Sequence, residues 1–271
     1  MQIKETELNL FDSVESLIEK IQAEPVDSDV HVIVLKTDNK TMQTTEKSYN
    51  LKIWGKSILQ WTTSAFGSCP ITFVDADLNS SIQSLVLPHL SGKKWTAIFY
   101  ADTPLLTRKT FLNILDYVQT KCLDGLKLAR GYIFNTEFLK NSNNLNGIAK
   151  TDLFADDFFA IFNMTQFQEA SQTLKTKILN HHKQNGVQIL DDNSTFIDAD
   201  AEIENDVVIF PNNVIAGGSV IKSGSIIEPF CTIKNSVVGK NCRLRSNYLE
   251  NATLKDGTQT KPFEIFEGDS K

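Results

Sequence analysis

The chain of 271 residues carries a net charge of −6, with 27 lysines and arginines against 33 aspartates and glutamates. This acidic balance, without a cluster of lysines or arginines, excludes a surface built for the phosphate backbone of nucleic acid. No segment has the roughly 20 apolar residues that span a bilayer, and the first 25 residues lack the apolar stretch of a signal peptide. We therefore predict a cytoplasmic protein that binds neither nucleic acid nor membrane.

An N-terminal extension, residues 1–28, contains the first periodic segment. Apolar residues recur on one stripe from Leu8 to Ile21, and Pro25 follows. This spacing predicts an amphipathic helix that ends before the proline.

Residues 29–164 alternate between strand and helix patterns. Such alternation predicts a Rossmann-like α/β domain with a parallel sheet, whose ligands bind at the carboxyl ends of the strands. The predicted strands are Val30–Leu35, Ile71–Val74, Trp95–Tyr100 and Lys127–Phe134, and the predicted helices are Ser57–Phe66, Ser80–Leu90 and Thr107–Val118.

A connecting helix is predicted within residues 165–191. Thr165 and Gln168 have the spacing of a capping box, in which each side chain bonds the backbone of the other residue. Asn185 and Gly186 mark its end, since glycine readily adopts the left-handed conformation that terminates helices. This helix would connect the α/β domain to the C-terminal part.

The C-terminal part repeats isoleucine every six residues. That period fits neither a helix nor an alternating strand and is typical of a hexapeptide β-helix. Compact side chains two positions earlier suit its tight corners. We predict about three coils over residues 192–258, with the isoleucines stacked inside, and a tail at 259–271. The two columns are Ile197, Ile203, Ile209, Ile215, Ile221, Ile227 and Ile233, and Thr195, Ala201, Val207, Asn213, Ser219, Ser225 and Cys231.

Cysteine and histidine spacing indicates no metal cluster. The four cysteines, at positions 69, 122, 231 and 242, show no CxxC spacing, which argues against a zinc site and a disulfide framework and predicts buried thiols. The adjacent His181 and His182 lie near the predicted helix end, where they are expected to act as a cap rather than as metal ligands.

Several segments resemble the bacterial N-acetylglucosamine-1-phosphate uridyltransferase/glucosamine-1-phosphate acetyltransferase family. They are VIVL at 32–35, WGKSIL at 54–59, FYADTPLL at 99–106 and the stretch VIAGGSVIKSGSIIEPFCTIKNSVVGKNC. The resemblance runs with gaps from about Val30 to Leu254. It implies a shortened nucleotidyltransferase-type parallel sheet followed by a left-handed parallel β-helix.

The resemblance also implies a site. In this family a sugar-1-phosphate attacks the α-phosphate of UTP with the help of Mg²⁺, and Asp102 and Asn163 match the two metal-binding positions. The alternative interpretation is local, with Asp102 bonding backbone amides before Pro104 and Asn163 flanking a helix start.

Other family features are missing. The glycine-rich phosphate loop is replaced by the glycine-free segment Lys36–Met42, which is typical of a solvated loop. Its arginine has no counterpart. Ser48 occupies the position of the family's lysine, so Lys40 and Lys47 are weak candidates for the missing cations. The Gly-Thr-Gly-His base-recognition sequence is absent, and Ala129 stands about where an acceptor-binding asparagine is expected. None of the four histidines follows residue 182, so we reject acetyl transfer, which needs a histidine base.

Three hypotheses remain open. The first is a pseudoenzyme that keeps the fold as a binding or assembly module. The second is a minimal active Mg²⁺-dependent nucleotidyltransferase that uses Lys40 or Lys47. The third is a structural protein whose β-helix mediates assembly. The expected partners are a nucleotide or nucleotide-sugar and further copies of the chain, with a trimer favoured because related β-helices form trimers.

Overall fold

The computed structural model describes residues 27–76, 80–142, 145 and 147–268. The predicted helix Leu8–Ile21 lies outside these residues. None of the helices within these ranges combines the length and apolarity that crossing a bilayer requires.

The described residues form two compact units. The first comprises 27–51 and 58–164, and the second comprises 52–57 and 165–268. The short segment 52–57 thus belongs to the second unit, although it lies within the predicted α/β domain. The other predicted domain boundaries stay predictions.

The first half of the chain contains eight strands and four helices among the described residues. Short 3-10 helices occur at Lys40–Met42, Ser48–Asn50, Ser64–Phe66, Leu87–His89 and Ala155–Phe158. The strands are β1 (Val30–Lys36), β2 (Lys52–Ile53), β3 (Lys56–Ser57), β4 (Ile71–Asp75), β5 (Trp95–Tyr100), β6 (Gly125–Leu128), β7 (Gly131–Asn135) and β8 (Ala149–Lys150). The helices are α1 (Ile58–Thr63), α2 (Ile82–Val86), α3 (Arg108–Thr120) and α4 (Thr136–Asn141).

A six-stranded sheet in the order β4-β1-β5-β7-β6-β8 is the centre of the first unit. Strand β1 lies between β4 and β5, parallel to both. Its central residues, Val32–Leu35, are apolar on both faces because helices cover both sides of the sheet. Val32 and Val34 pack into one core cluster, and Ile33 and Leu35 pack into another.

Strand β7 makes the sheet mixed, since it runs antiparallel to β5 and to β6. The single strand predicted over Lys127–Phe134 is therefore wrong, because the chain reverses at Ala129 and Arg130. Gly131 permits this turn next to β5. A Cβ atom at Gly131 would lie 2.7 Å from the carbonyl oxygen of Ile98, so a larger residue would push the hairpin away.

The connecting helix α5 (Met164–Gln184) opens the second unit. It begins one residue before Thr165, so the predicted capping box is wrong at that position. The predicted end is confirmed. Gly186 has φ +85°, and its amide donates to the carbonyl oxygen of Lys183.

The second unit continues as a parallel β-helix of short strands, which confirms the predicted fold class. All seven isoleucines of the repeat are at most 8% exposed. Ile197 pairs with Ile215, one coil of 18 residues later. The strands are β9 (Gln188–Ile189), β10 (Phe196–Ile197), β11 (Glu202–Ile203), β12 (Val208–Ile209), β13 (Val214–Ala216), β14 (Val220–Ile221), β15 (Ile226–Ile227), β16 (Thr232–Lys234), β17 (Val237–Val238), β18 (Arg243–Leu244), β19 (Tyr248–Glu250), β20 (Thr253–Leu254) and β21 (Ile265–Glu267).

The stack is longer than predicted. One face carries five described strands, in the order β10-β13-β16-β19-β21. The last of them, Ile265–Glu267, lies in the predicted tail and pairs with β19. Later coils are shorter, since Ile221 pairs with Val238 and Ile233 pairs with Leu249. The six-residue period is therefore lost before the stack ends.

The hairpin β2–β3 packs against the start of the β-helix. Its turn residues Trp54 and Gly55 both have positive φ, 48° and 84°. The Trp54 ring stacks on Phe196 with centroids 5.7 Å apart, and its Nε1 donates to the carbonyl oxygen of Ser171 at 2.7 Å. The amide of Ala199 donates to the carbonyl oxygen of Trp54 at 3.0 Å.

The cysteines and His182 depart in part from the predictions. All four thiols are free, but Cys122 is exposed while the other three are buried. His182 is buried, and burial, followed by the charge of His181, lowers its pKa to about 4. A neutral imidazole cannot act as a positive charge at the helix end.

Candidate functional site

The candidate site lies where β1 and β5 end. These strands are parallel neighbours, with Leu35 opposite Tyr100, so the residues that follow them meet at one edge of the sheet. Thr37 follows β1, and Asp102 follows β5. The Thr37 hydroxyl donates to Oδ2 of Asp102 at 3.3 Å. Asp102 is only 6% exposed, so its carboxylate needs partners within the protein.

Arg130 provides the main partner of Asp102. It sits in the β6–β7 turn, and β7 pairs with β5 so that Gly131 lies opposite Phe99. This register carries Arg130 to the end of β5. Its Nε donates to Oδ1 of Asp102 at 3.0 Å, and its Nη2 donates to Oδ2 at 2.5 Å. The pair is bidentate, the strongest geometry for a guanidinium and a carboxylate.

Two aromatic rings hold the Arg130 guanidinium in place. Its Cζ lies 4.1 Å from the Tyr100 ring centroid and 5.0 Å from that of Phe162. A cation near an aromatic face is attracted by the ring quadrupole, more strongly where water is excluded. Burial raises the pKa of Tyr100, which keeps its phenol neutral. The arginine is therefore oriented by its carboxylate partner and by both rings.

The segment before α5 reaches the same edge. The amide of Ile161 donates to the carbonyl oxygen of Asp102 at 3.0 Å. Asn163 is exposed two residues later and directly precedes α5, as the alternative interpretation of this residue expected. The partners of the Asp102 side chain, Arg130 and Thr37, were not predicted.

This donor set fits Mg²⁺ poorly. Both oxygens of Asp102 already accept hydrogen bonds from a cation, whereas Mg²⁺ needs near-octahedral oxygen ligands. Within the described ranges, no group of three or more His, Cys, Asp or Glu side chains is placed to hold a metal ion. Magnesium at Asp102 and Asn163 stays a prediction.

The loop after β1 uses its amides internally. The amide of Asn39 donates to Oγ of Ser48 at 2.8 Å, and the amide of Ser48 donates to Oδ1 of Asp38 at 3.1 Å. The amide of Thr41 donates to Oδ1 of Asn39 at 3.3 Å. Met42 is buried. The segment is thus an anchored loop with buried residues, whereas the sequence predicted a solvated one.

The same loop is fastened to the segment before α5. Nδ2 of Asn39 donates to the carbonyl oxygen of Phe162 at 2.9 Å, and the Thr41 hydroxyl donates to that same oxygen. Phe162 therefore contacts Arg130 through its ring and the loop through its backbone. The loop, the arginine and the 161–163 segment form one connected network.

The candidate lysines lie on the outer side of this loop. Lys40 begins a 3-10 helix and is exposed. Lys47 is exposed as well, and its Nζ is 3.8 Å from a carboxylate oxygen of Asp38. Lys36 pairs with Asp75 at 3.0 Å. Lys36 and Lys47 therefore each have a carboxylate neighbour at this edge, and a catalytic role for Lys40 or Lys47 stays a prediction.

Comparisons with known proteins agree with the architecture. Residues 200–235 match the family described as bacterial transferase hexapeptide (six repeats). The chain is 32% identical over 116 residues to the bifunctional protein GlmU of Clostridium novyi (strain NT), covering 43% of this chain and 25% of that protein. Identity is 36% over 123 residues with GlmU of Caldicellulosiruptor saccharolyticus, covering 44% of this chain and 27% of the relative.

A third relative extends the aligned region. GlmU of Acetivibrio thermocellus is 32% identical over 133 residues, 49% of this chain and 29% of the relative. These matches confirm the resemblance recognised in the sequence. The aligned regions cover 25–29% of the length of these relatives.

Proposed function

We propose that this protein is a degenerate sugar-1-phosphate nucleotidyltransferase, related to UDP-N-acetylglucosamine pyrophosphorylases, that serves as a binding or assembly module without transferring a uridyl group. The observation that carries the proposal is the state of the loop after β1. Its amides at Asn39, Thr41 and Ser48 donate to side-chain oxygens of the loop itself. A phosphate-binding loop needs such amides free and converging on the ligand.

Charge at the loop supports the same conclusion. Asp38 accepts the Ser48 amide and lies 3.8 Å from Lys47, so a carboxylate stands where phosphate oxygens would have to approach. Losing one preorganised donor to a developing negative charge costs about 3–4 kcal/mol in a transition state. Several donors are engaged here, so we expect the loss in rate to exceed a factor of 1,000.

The test is release of pyrophosphate from UTP and N-acetylglucosamine-1-phosphate with Mg²⁺. We expect no turnover above a blank from the wild type or from Asp102→Ala. The exposed helix residue Asp116 provides a matched control, Asp116→Ala. Robust wild-type turnover that survives Asp116→Ala and is abolished by Asp102→Ala would overturn the proposal.

The second candidate is a minimal active nucleotidyltransferase. The observation that favours it is the retention of an aspartate at the end of β5 together with the exposed lysines of the neighbouring loop. It requires that turnover exist and that Lys40→Ala or Lys47→Ala reduce it at least tenfold. Turnover unchanged by both substitutions would exclude these two lysines as its catalytic cations.

The assembly role is proposed to rest on the β-helix, with a homotrimer as the expected state. Large apolar side chains stand exposed on it, with Phe230 67%, Phe263 81% and Ile265 67% exposed. Such groups are typical of surfaces that bind a partner. Light scattering over a range of protein concentrations should give three times the chain mass of 30.4 kDa, and a monomer at the highest concentration would contradict the assembly proposal.

A further inference from the structure

Asp102 is the residue in which the sequence resemblance and the structure disagree. The resemblance predicts that its carboxylate binds a divalent metal ion, whereas in the structure the carboxylate pairs with the Arg130 guanidinium. Nε and Nη2 of Arg130 take one carboxylate oxygen each, and the Thr37 hydroxyl adds a third bond. The carboxylate is buried, so its charge must be balanced locally.

We propose that Arg130 is the built-in counter-cation of Asp102, and that it closes this end of the sheet to divalent metal ions. The inference rests on the proposed function and specifies the chemistry of its binding role. A nucleotide or other ligand that the first unit binds would then do so without a bridging metal.

Electrostatics explains why the two cations exclude each other. A divalent ion on the Asp102 carboxylate would lie within a few ångströms of the guanidinium, and like charges at that separation repel strongly where water is scarce. Two oxygens already used in a bidentate pair also offer poor directions to an octahedral ion. Metal binding therefore requires Arg130 to leave.

The fold makes that departure costly. Arg130 cannot shift with its turn, because Gly131 packs close to the carbonyl oxygen of Ile98 and β7 is held in register by β5. Its side chain is held between Tyr100 and Phe162. The Phe162 backbone is in turn bonded by Asn39 and Thr41. The cation is fixed by the sheet, by two rings and by the loop.

The experiment is a titration of the full chain with Mn²⁺, a spectroscopic substitute for Mg²⁺, followed by the electron paramagnetic resonance signal of the free ion. Arg130→Met removes the charge but keeps an unbranched side chain that can lie between the rings. We expect no stoichiometric binding by the wild type. Arg130→Met should bind one Mn²⁺, with a Kd at least tenfold lower than that of any residual binding by the wild type. That binding should disappear in the double variant Arg130→Met/Asp102→Asn.

A matched control is Lys140→Met, since Lys140 also has a carboxylate neighbour, Glu137 at 2.7 Å, but the two side chains are 41% and 72% exposed. This variant should bind no more Mn²⁺ than the wild type. One Mn²⁺ bound by the wild type and lost in Asp102→Asn would overturn the inference. So would a folded Arg130→Met that binds none.

Folding of Arg130→Met is checked by thermal unfolding with and without Mn²⁺, because it leaves a buried carboxylate unpaired. Stabilisation by Mn²⁺ would support the inference. If this variant does not fold under either condition, Arg130→Lys replaces it. Lysine keeps the charge, so this variant should bind no Mn²⁺, and binding by it would overturn the inference.

Failure of this inference is distinguishable from failure of the proposed function. Mn²⁺ on wild-type Asp102 without pyrophosphate release would refute the arginine's role alone. Pyrophosphate release without a metal on Asp102 would refute only the proposal that the protein transfers no uridyl group.

Discussion

Single residues inside the β-helix are tightly constrained by the coils on either side of them. Ile215 is 1% exposed and pairs with Ile197 before it and Ile233 after it. This inward position is thus covered by an isoleucine one coil away on each side. A gap at one level cannot be filled from the side, since the neighbouring levels are held by backbone pairing.

Replacing Ile215 with alanine should lower the free energy of unfolding of the β-helix by about 2–5 kcal/mol. The reason is the loss of buried methyl groups together with the cavity that they leave. Thr253, exposed on strand β20 of the same stack, provides the control, since Thr253→Ala should change stability by less than about 1 kcal/mol. Urea unfolding followed by circular dichroism measures both, and equal effects would show that the column is not a core.

Histidine protonation should make the fold sensitive to acid. Burial lowers the pKa of His31 and lowers that of His182 to about 4, from an ordinary value of 6.5. Between pH 6.5 and 4 these histidines are therefore protonated in the unfolded chain but largely neutral in the folded chain. The free energy of unfolding falls as the pH drops through this range. For His182 the loss approaches about 3 kcal/mol at the lower end.

His182→Gln should flatten this pH dependence, because glutamine does not titrate. The measurement is the free energy of unfolding at pH 7.5 and pH 4.5 for the variant and for the wild type. His181→Gln is the control and should keep most of the pH dependence, because burial is the larger cause of the low pKa of His182. A wild-type difference that persists undiminished in His182→Gln would mean that other groups, such as carboxylates, cause it.

The corner at Asn213 connects neighbouring coils of the β-helix through side-chain hydrogen bonds. Asn213 is fully buried there, and its amide group serves two coils. Nδ2 donates to the carbonyl oxygens of Phe210 at 2.7 Å and Ile227 at 3.2 Å, and Oδ1 accepts from the amide of Cys231 at 2.7 Å. The column predicted as small or compact is therefore polar at Asn213, Ser219 and Ser225, whose side chains bond backbone groups of neighbouring coils.

Asn213→Ala should destabilise the β-helix by about 2–4 kcal/mol, since it removes the partner of the buried Cys231 amide and of the partly buried Phe210 carbonyl. Asn212, the preceding residue, is exposed with φ +62° and provides a control on the same corner. Asn212→Gly should be nearly neutral, because glycine accepts positive φ. Thermal unfolding compares the two, and a neutral Asn213→Ala would mean that water replaces the lost amide.

The sequence predicts elements where the determining contacts are local or periodic. Val30–Leu35 and Trp95–Tyr100 are correctly predicted as strands, because mostly apolar runs fit a sheet that is covered on both faces. The isoleucine column is read correctly because its period directly encodes the stacking. The end of the β-helix is missed, because the later coils are shorter and Ile265 lies outside the six-residue period.

The site is harder to predict than the fold. Asp102 is placed at the end of a strand by its position after β5, which sequence reasoning captures. Its partner Arg130 depends on the register between β7 and β5 and on the position of the turn, neither of which has a periodic signal. The one available clue is the Ala129-Arg130-Gly131 sequence, since a glycine within a predicted strand suggests a turn or a close backbone approach.

At the scale of the whole molecule, the second unit is assembled from two separated pieces of chain. Trp54, in the earlier piece, stacks on Phe196 and bonds the carbonyl oxygen of Ser171. Trp54→Ala should cost the second unit about 2 kcal/mol, from the lost ring contact and the lost hydrogen bond of the indole N–H.

Hydrogen exchange tests this prediction at one amide. The Ala199 amide donates to the carbonyl oxygen of Trp54, so it should exchange faster in Trp54→Ala. The exposed Phe263 provides the control, since Phe263→Ala should leave that amide protected. Unchanged protection of Ala199 in Trp54→Ala would show that the hairpin holds its place without the ring.

The divided second unit also sets an order of events during synthesis. Residues 52–57 leave the ribosome first, and their partner Phe196 follows only about 140 residues later, roughly 7–30 s at ordinary elongation rates. During that interval the Trp54 ring lacks the Phe196 ring on which it stacks in the folded unit. A nascent chain halted before Phe196 would lack the coil that this hairpin joins. Completion of the second unit thus depends on a segment made long before the rest of it.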